Sequence, residues 1–300
     1  MRPDTMPAFR SPPLRAGLSS RPGLLPPALG LLALVLAFVQ RPGLTFTDTR
    51  IDLTVNPALF LSRVTQVFSG TADLGHVQSG QYVGYLFPMG PWYDLMHLLG
   101  IPTWVGQRLW LAALLFAAAY GVVRLLDVLL GSERGPAHAL AAVLYAVNPL
   151  VVVYISRASG TLLALAVLPW VMLAVVGGVW EPRSWQWPVL IGLIAALSGG
   201  GINAAQVAWI ALAPVALLIW EATVGRAGRG AAFQFGLRAT VCAFAGAAWW
   251  LIPAILQGSY GADFLRFTEL PQTIWATTSA SESLRLLGYW PMYLGTGYGA

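Results

Sequence analysis

The sequence has no lysine, one cysteine and few charges, and these shortages exclude several classes of protein. Only 10% of its 300 residues are charged and 57% are hydrophobic, whereas soluble domains carry about 25% charged residues. The lone Cys242 lies in an apolar run, so neither an intrachain disulfide nor a cysteine-rich zinc site can form. We interpret it as a packed thiol. The composition therefore excludes an ordinary soluble domain and a disulfide scaffold.

The sequence also lacks the common phosphate-binding and nucleophile motifs. It contains no Walker loop, no G-x-S-x-G and no Cys-x-x-Cys, which argues against a nucleotide-driven machine within these residues. His76, His97 and His138 are scattered without the spacing of metal ligands. We therefore predict no cofactor and no metal site on these side chains, and we leave a divalent cation open.

Long apolar runs are what the sequence has in abundance. A spanning helix needs about 20 mostly apolar residues, and tryptophan, of which there are 13, concentrates at membrane interfaces. The fifth run is short and ends in glycines, which is typical of a broken or re-entrant helix. The sequence predicts an all-α membrane domain over 23–257, after a disordered, proline-rich cytoplasmic tail at 1–22. Its seven candidate spans are 24–40, 108–130, 137–154, 161–180, 187–200, 202–220 and 236–257.

The arginines indicate how this domain lies in the membrane. With the N-terminus in the cytoplasm, seven crossings place ten arginines and five acids inside, and seven of each outside. The whole net charge of +5 is then cytoplasmic, as the positive-inside rule expects. The excess of basic residues is thus explained by the lipid bilayer as partner, and a nucleic-acid partner is not needed. The segments 41–107 and 258–300 are predicted to be extracytoplasmic loops.

The first extracytoplasmic loop, 41–107, is too aromatic and apolar to be disordered. Within it, Asn56 and Pro57 are typical of a helix N-cap followed by proline in the first turn. The sequence predicts a helix over 57–68 that lies flat in the outer interface, or that packs on the rest of its own loop. Its apolar face would contain Phe60, Val64, Val67 and Phe68.

Two carboxylates, Asp48 and Asp52, bracket Arg50 just after the first span. The two acids share one face whether the segment is helical or extended. One of them could act as a general base, with its pKa raised by the other charge and by partial desolvation. The alternative is an interfacial salt-bridge cluster around Arg50.

Other loop residues have two interpretations each. The aromatic residues Tyr82, Tyr85 and Trp92 form either an interfacial belt or a platform for sugar rings. Arg108 and Arg157 lie near outer span ends, where they either extend toward the interface or neutralise a lipid phosphate.

The order and spacing of several motifs resemble a known family. The segment 46–53, with Asn56-Pro57 and Phe60-Leu61, resembles the first loop of actinobacterial α-(1→3)-arabinofuranosyltransferases of the D type. The similarity is densest over 45–110 and continues more loosely along the chain. Later matching motifs are Tyr85-Leu86-Phe87-Pro88, Leu99-Gly100-Ile101-Pro102 and Gln107-Arg108-Leu109-Trp110.

The resemblance implies a GT-C membrane glycosyltransferase of the plasma membrane with an extracytoplasmic active site. The donor would be decaprenyl-phosphoryl-arabinose and the acceptor the arabinan of arabinogalactan or lipoarabinomannan. The family's catalytic-loop aspartate maps onto Asp48, with Asp52 as its neighbour. Arg50 stands where the family often has lysine, and Gly160 where the family has an acidic residue. Family members are longer, so we expect this chain to be an N-terminal portion that stops within an outer loop.

The residues are compatible with that chemistry. Turning a β-linked lipid-phosphate sugar into an α-linked product requires inversion, and hence one base and an in-line attack. We predict Asp48 as the base, Asp52 as the residue that orients it, and Arg50, Arg108 or Arg157 on the phosphate. The helix at 57–68 would shape the donor entrance. The alternatives are a multi-span transporter, favoured only by the glycine break at 198–201, and a non-catalytic membrane scaffold of cell-envelope assembly.

Overall fold

The described part of the chain is a helical bundle with one short hairpin. The computed structural model describes residues 23–46, 50–70, 75–78, 80–131, 134–155, 159–199, 202–225, 227–261 and 279–286. The predicted tail at 1–22 lies outside these ranges. The first long helix, α1 (Leu25–Phe38), precedes a loop that contains α2 (Ile51–Val55), α3 (Pro57–Val64), β1 (Phe68–Ser69), β2 (His76–Val77), α4 (Gly80–Gly84) and α5 (Met89–Leu98).

The bundle then continues through further helices. They are α6 (Thr103–Leu130), α7 (Pro136–Ala146), α8 (Pro149–Tyr154), α9 (Ser159–Trp180), α10 (Gln186–Leu197), α11 (Ala204–Thr223) and α12 (Gly228–Tyr260), followed by the short α13 (Ala280–Leu284). The two strands pair antiparallel, with Phe68 opposite Val77.

All seven apolar runs of the sequence fall on helices, and the all-α membrane class is confirmed. Within the described residues, five helices are long and apolar enough to cross a membrane: α6, the α7–α8 pair, α9, α11 and α12. The first and fifth runs form the shorter α1 and α10, of 14 and 12 residues. The count of seven spans is therefore not confirmed. Helix α10 ends at Leu197, just before the glycines that suggested a break.

The third run is divided by a local signal at Asn148-Pro149. Proline lacks the N–H that would bond to the preceding turn, so it is favoured in the first turn of a helix, where that N–H would have no partner. Asn148 caps a new helix, since its side-chain oxygen accepts a hydrogen bond from the Val151 N–H at 3.1 Å. The run thus folds as α7 and α8, which together cover Pro136–Tyr154.

Side-chain hydrogen bonds tie the spanning helices together. The Trp170 indole on α9 donates to the Ala117 carbonyl on α6 at 3.0 Å. The Tyr145 hydroxyl on α7 donates to the Leu165 carbonyl on α9 at 2.8 Å. Because no water is present in a bilayer core, these polar groups need partners within the protein. The central helix α9 is buried along most of its length.

Helices α10 and α12 approach each other at glycines. A Cβ at Gly192 would lie 2.7 Å from the Cys242 carbonyl oxygen, and one at Gly246 would collide with the Gly192 carbonyl. Small residues allow the close backbone approach on which helix packing in membranes relies. Cys242 is half-buried beside this contact, in agreement with a packed thiol.

A buried ionic network lies at the end of the bundle that is predicted to face the cytoplasm. Asp127 on α6 is 2% exposed and accepts hydrogen bonds from Arg134, the shortest at 2.7 Å. Arg124 and His138 lie 3.7 and 3.8 Å from the same carboxylate. The hydrogen bond to Asp127 raises the pKa of Arg134, which therefore stays charged. The network joins the end of α6 to the start of α7.

We expect Gly246→Val to lower the thermal stability of the detergent-solubilised protein. The added methyl groups would force α10 and α12 apart, and overpacking of this kind costs about 1–3 kcal/mol. The matched control is Gly258→Val on the same helix, where nothing lies within 4 Å of the added Cβ. Equal melting temperatures for the two variants would contradict a packing role for Gly246.

Candidate functional site

The segment that leads out of α1 is held against the first turns of α6 by Gln107. The Gln107 side chain has no exposed surface. Its Oε1 accepts a hydrogen bond from the Phe46 N–H at 3.2 Å, and its Nε2 donates to the Phe46 carbonyl at 2.9 Å. The two bonds fix both main-chain groups of one loop residue to a spanning helix.

Arg108, the next residue of α6, is bound to the same segment. It is 2% exposed, it donates to the Leu44 carbonyl at 3.1 Å, and it donates to the Gln40 side chain. Its guanidinium carbon lies 5.3 Å from the centre of the Phe46 ring. Within the described residues no carboxylate pairs with Arg108, and its Nε has no acceptor. Among the described residues, the partners of this buried guanidinium are all neutral.

The predicted cap of the loop helix is confirmed, and the helix is shorter than predicted. The Asn56 side chain accepts a hydrogen bond from the Leu59 N–H, and Pro57 begins α3. Phe60 and Val64 are buried in the core, so the helix packs on the protein itself.

The helix ends at Val64 because another side chain binds the carbonyls that a longer helix would need. The Gln78 amide donates to the carbonyls of Arg63 and Gln66, at 3.2 and 2.7 Å. Val67 and Phe68 therefore leave the helix and are exposed, contrary to the prediction that they extend its apolar face. Phe68 instead pairs with β2.

Asp52, Arg50 and Tyr82 form one cluster at the start of α2. The Arg50 guanidinium carbon lies 4.8 Å from the centre of the Tyr82 ring, and the Phe60 ring packs 4.8 Å from the same ring. The Tyr82 hydroxyl interacts electrostatically with Asp52. Burial raises the pKa of Tyr82, the negative charge of Asp52 adds to this effect, and Arg50 and Arg63 oppose it. The hydroxyl therefore keeps its proton at neutral pH and remains a donor.

The structure brings together some of the predicted site residues. Asp52 is exposed and Arg50 is half-buried, and both contact Tyr82. Asp48 and Arg157 lie outside the described residues, so their predicted roles stay predictions.

Two of the three aromatic residues are occupied by packing. Tyr85 is 1% exposed within the core. The Trp92 indole donates to the Gly106 carbonyl at 3.1 Å, and its ring lies 5.6 Å from that of Trp110. Tyr85 therefore has no ring face that is open to solvent. Tyr82 is the aromatic residue of the three that belongs to the Asp52 cluster.

Gln107 is the residue that the sequence interpretation did not single out. A signal was present, because Gln107 and Arg108 are consecutive polar residues at the start of a strongly apolar run. Polar residues within a membrane span mark functional or structural contacts. In the part of the chain that the structure describes, no three His, Cys, Asp or Glu side chains are grouped to hold a metal.

An apolar crevice of about 480 Å³ lies elsewhere, among α9, α10, α11 and α12. Its walls include Val171, Ile194, Leu218, Phe235 and Trp250. None of the residues that line it belongs to the 40–108 region, so it is separate from the Asp52 cluster.

The chain matches known arabinofuranosyltransferases over most of its length. Residues 32–300 match the family model described as "Alpha-(1->3)-arabinofuranosyltransferase, N-terminal GT-C domain". The alpha-(1->3)-arabinofuranosyltransferase of Mycolicibacterium smegmatis is 31% identical over 264 residues, which are 87% of this chain and 18% of that protein. The protein of the same name from Mycobacterium tuberculosis is 39% identical over 150 residues, 50% of this chain and 11% of that protein.

A solved structure has the same fold. The cryo-EM structure of arabinofuranosyltransferase AftD from Mycobacteria superimposes with a TM-score of 0.72 at 31% identity. The match covers 88% of this chain and 20% of that one. The chain thus spans about a fifth of the length of the relatives that it matches.

We expect Tyr82→Phe to preserve most of the loop's stability and Tyr82→Leu to reduce it. The phenylalanine keeps the ring against Phe60 and Arg50 and loses only the hydroxyl that interacts with Asp52; loss of one such polar interaction costs about 0.5–1.5 kcal/mol in a typical case. Thermal unfolding of the purified protein, compared with wild type, measures both effects. A Tyr82→Phe variant that is as unstable as Tyr82→Leu would contradict the ring contacts as the main contribution.

Proposed function

Because the chain belongs to the alpha-(1->3)-arabinofuranosyltransferase family and matches its N-terminal GT-C domain, we propose that it transfers arabinofuranose from a polyprenyl-phosphate donor to an arabinan acceptor at the extracytoplasmic face. The observation that carries the proposal is the Asp52, Arg50 and Tyr82 cluster in the loop that precedes α6. It combines an exposed carboxylate, a cation and a phenol donor in one loop.

The reaction is an inverting displacement with Asp48 as general base. The base takes the proton of an acceptor hydroxyl as the hydroxyl oxygen forms a bond to the anomeric carbon of the sugar. The bond between that carbon and the phosphate oxygen breaks on the opposite side, and the electron pair leaves with the lipid phosphate. Phosphate is a good leaving group, so the mechanism needs no second carboxylic acid.

Asp52 orients the base and the acceptor in this mechanism. It stands four residues after Asp48 and interacts with the Tyr82 hydroxyl. Its carboxylate oxygens accept hydrogen bonds from the acceptor sugar.

Arginines stabilise the phosphate as its negative charge develops. Arg50 contacts the phosphate directly. It is half-buried, so part of its surface is accessible, and it lies in the same cluster as Asp52. Arg108 contributes positive electrostatic potential from its position on α6, since it is buried and has no carboxylate partner within the described residues. A charge in a low-dielectric environment acts more strongly than one in water. Arg157 remains a third candidate from sequence position alone.

The loop elements contribute to substrate recognition. Helix α3 packs its apolar face into the core and shapes the donor entrance with its other face. Tyr85 is buried and Trp92 is bound to α6, so the sugar-platform role narrows to the partly exposed ring of Tyr82. The protein resides in the plasma membrane with its N-terminus in the cytoplasm, in keeping with the excess of arginine assigned to that side.

We expect Asp48→Asn to lower arabinose transfer at least about 100-fold, since general-base catalysis contributes roughly 10²- to 10⁴-fold. The assay follows a radiolabelled polyprenyl-phosphoryl-arabinose donor and a synthetic arabinan acceptor in membranes that contain the complete gene product. Asp52→Asn is expected to have a smaller effect.

The matched control is Asp94→Asn, which removes a half-buried acid on α5 of the same loop and should leave transfer near the wild-type rate. Full activity of Asp48→Asn would refute the base assignment. Absence of transfer by the normally inserted wild type would favour a transporter or a scaffold.

A further inference from the structure

The Gln107 amide is buried without solvent access, and it uses both of its polar atoms on one residue of the loop. A buried amide is costly unless it is hydrogen-bonded. Here the Oε1 and Nε2 atoms bind the N–H and carbonyl of Phe46, 61 residues away in the chain. This two-point contact fixes both the position and the orientation of the Phe46 peptide groups.

The contact between Gln107 and Phe46 lies close in the sequence to the two acids, Asp48 and Asp52. Phe46 stands two residues before Asp48, and two residues span at most about 7 Å. Gln107 itself stands on α6, one of the helices around which the bundle packs. The acidic segment is therefore attached to a rigid element close to its first carboxylate.

We propose that Gln107 is a positioning residue for sugar transfer, which acts by clamping Phe46, two residues before Asp48. The inference rests on the proposed function, in which Asp48 is the base. Arg108 holds the preceding part of the loop through Leu44. Gln107 alone of the two binds the main chain next to the acids.

Glutamine is the side chain that this contact requires. Glutamate has the same length but offers only acceptors when ionised, so it binds the N–H and repels the carbonyl. Leucine fills a similar volume and offers neither group. Because both substitutions leave polar main-chain groups of Phe46 without a partner, the acidic segment loses its attachment to α6.

We expect Gln107→Leu to lower kcat about 10- to 100-fold with little change in the KM for the donor. Misplacement of a catalytic group by about 1 Å has an effect of this size. Gln107→Glu should give an intermediate loss, since it keeps the bond to the N–H. The kinetics use the complete gene product in membranes, with the assay described for Asp48.

A second measurement does not depend on activity. Hydrogen exchange of peptides that cover 41–52 should be faster in Gln107→Leu and unchanged in Trp170→Phe. The latter removes one buried hydrogen bond to the main chain of α6 at a distance from the loop. It should also keep kcat and KM near wild type. If Gln107→Leu does not fold, Gln107→Glu takes its place in both measurements.

The two variants combined separate this inference from the proposed function. If Gln107 acts through Asp48, then Gln107→Leu should reduce activity no further in an Asp48→Asn background. An unchanged kcat and unchanged exchange in Gln107→Leu, with Asp48→Asn inactive, would overturn the positioning role alone. An equal loss in the wild-type and Asp48→Asn backgrounds would overturn it as well. Full activity of Asp48→Asn would instead refute the proposed function.

Discussion

The structure depends on one constraint: polar groups inside an apolar bundle must find their partners within the protein. In the hydrocarbon layer no water replaces a missing hydrogen bond. The indoles of Trp170 and Trp250 therefore donate to carbonyls of neighbouring helices, and the Tyr145 hydroxyl does the same. Each bond fixes the depth and rotation of one helix relative to another, which apolar packing alone does not do. The same requirement acts on Gln107, and there it connects the bundle to a loop that carries candidate catalytic groups.

Most of the fold could be predicted from the sequence because hydrophobicity in a membrane is a strong local signal. The seven apolar runs became helices, and the cap at Asn56 was visible in two adjacent residues. The end of α3 was not predictable, since it is determined by Gln78, a residue 14 positions beyond Val64 that takes up the last carbonyls. The count of seven spans is not confirmed, because α1 and α10 are shorter than their apolar runs.

The candidate site was predictable in its residue types and less so in its contacts. The alternation of acid and arginine at 48–52 pointed to the loop, and the structure adds that Asp52 and Arg50 share Tyr82 as a neighbour. The sequence alone does not distinguish an aromatic side chain that faces a ligand from one that packs in the core. Only the packing of Tyr85 against the bundle distinguishes the two cases. A contact between residues far apart in the chain, such as Gln107 with Phe46, produces no periodic pattern in the sequence. Such contacts are therefore visible only in the structure.

The ionic network around Asp127 has a consequence for how the protein is made. All of its members lie within 124–138, so the negative charge on α6 finds its cations in the turn that follows directly and in the first turn of α7. During synthesis these residues leave the ribosome almost together, and the carboxylate can be neutralised before the later helices exist. Helices α6 and α7 can then partition into the bilayer as one hairpin whose ends stay on the same side. The network can thus form ahead of the close packing that completes the bundle.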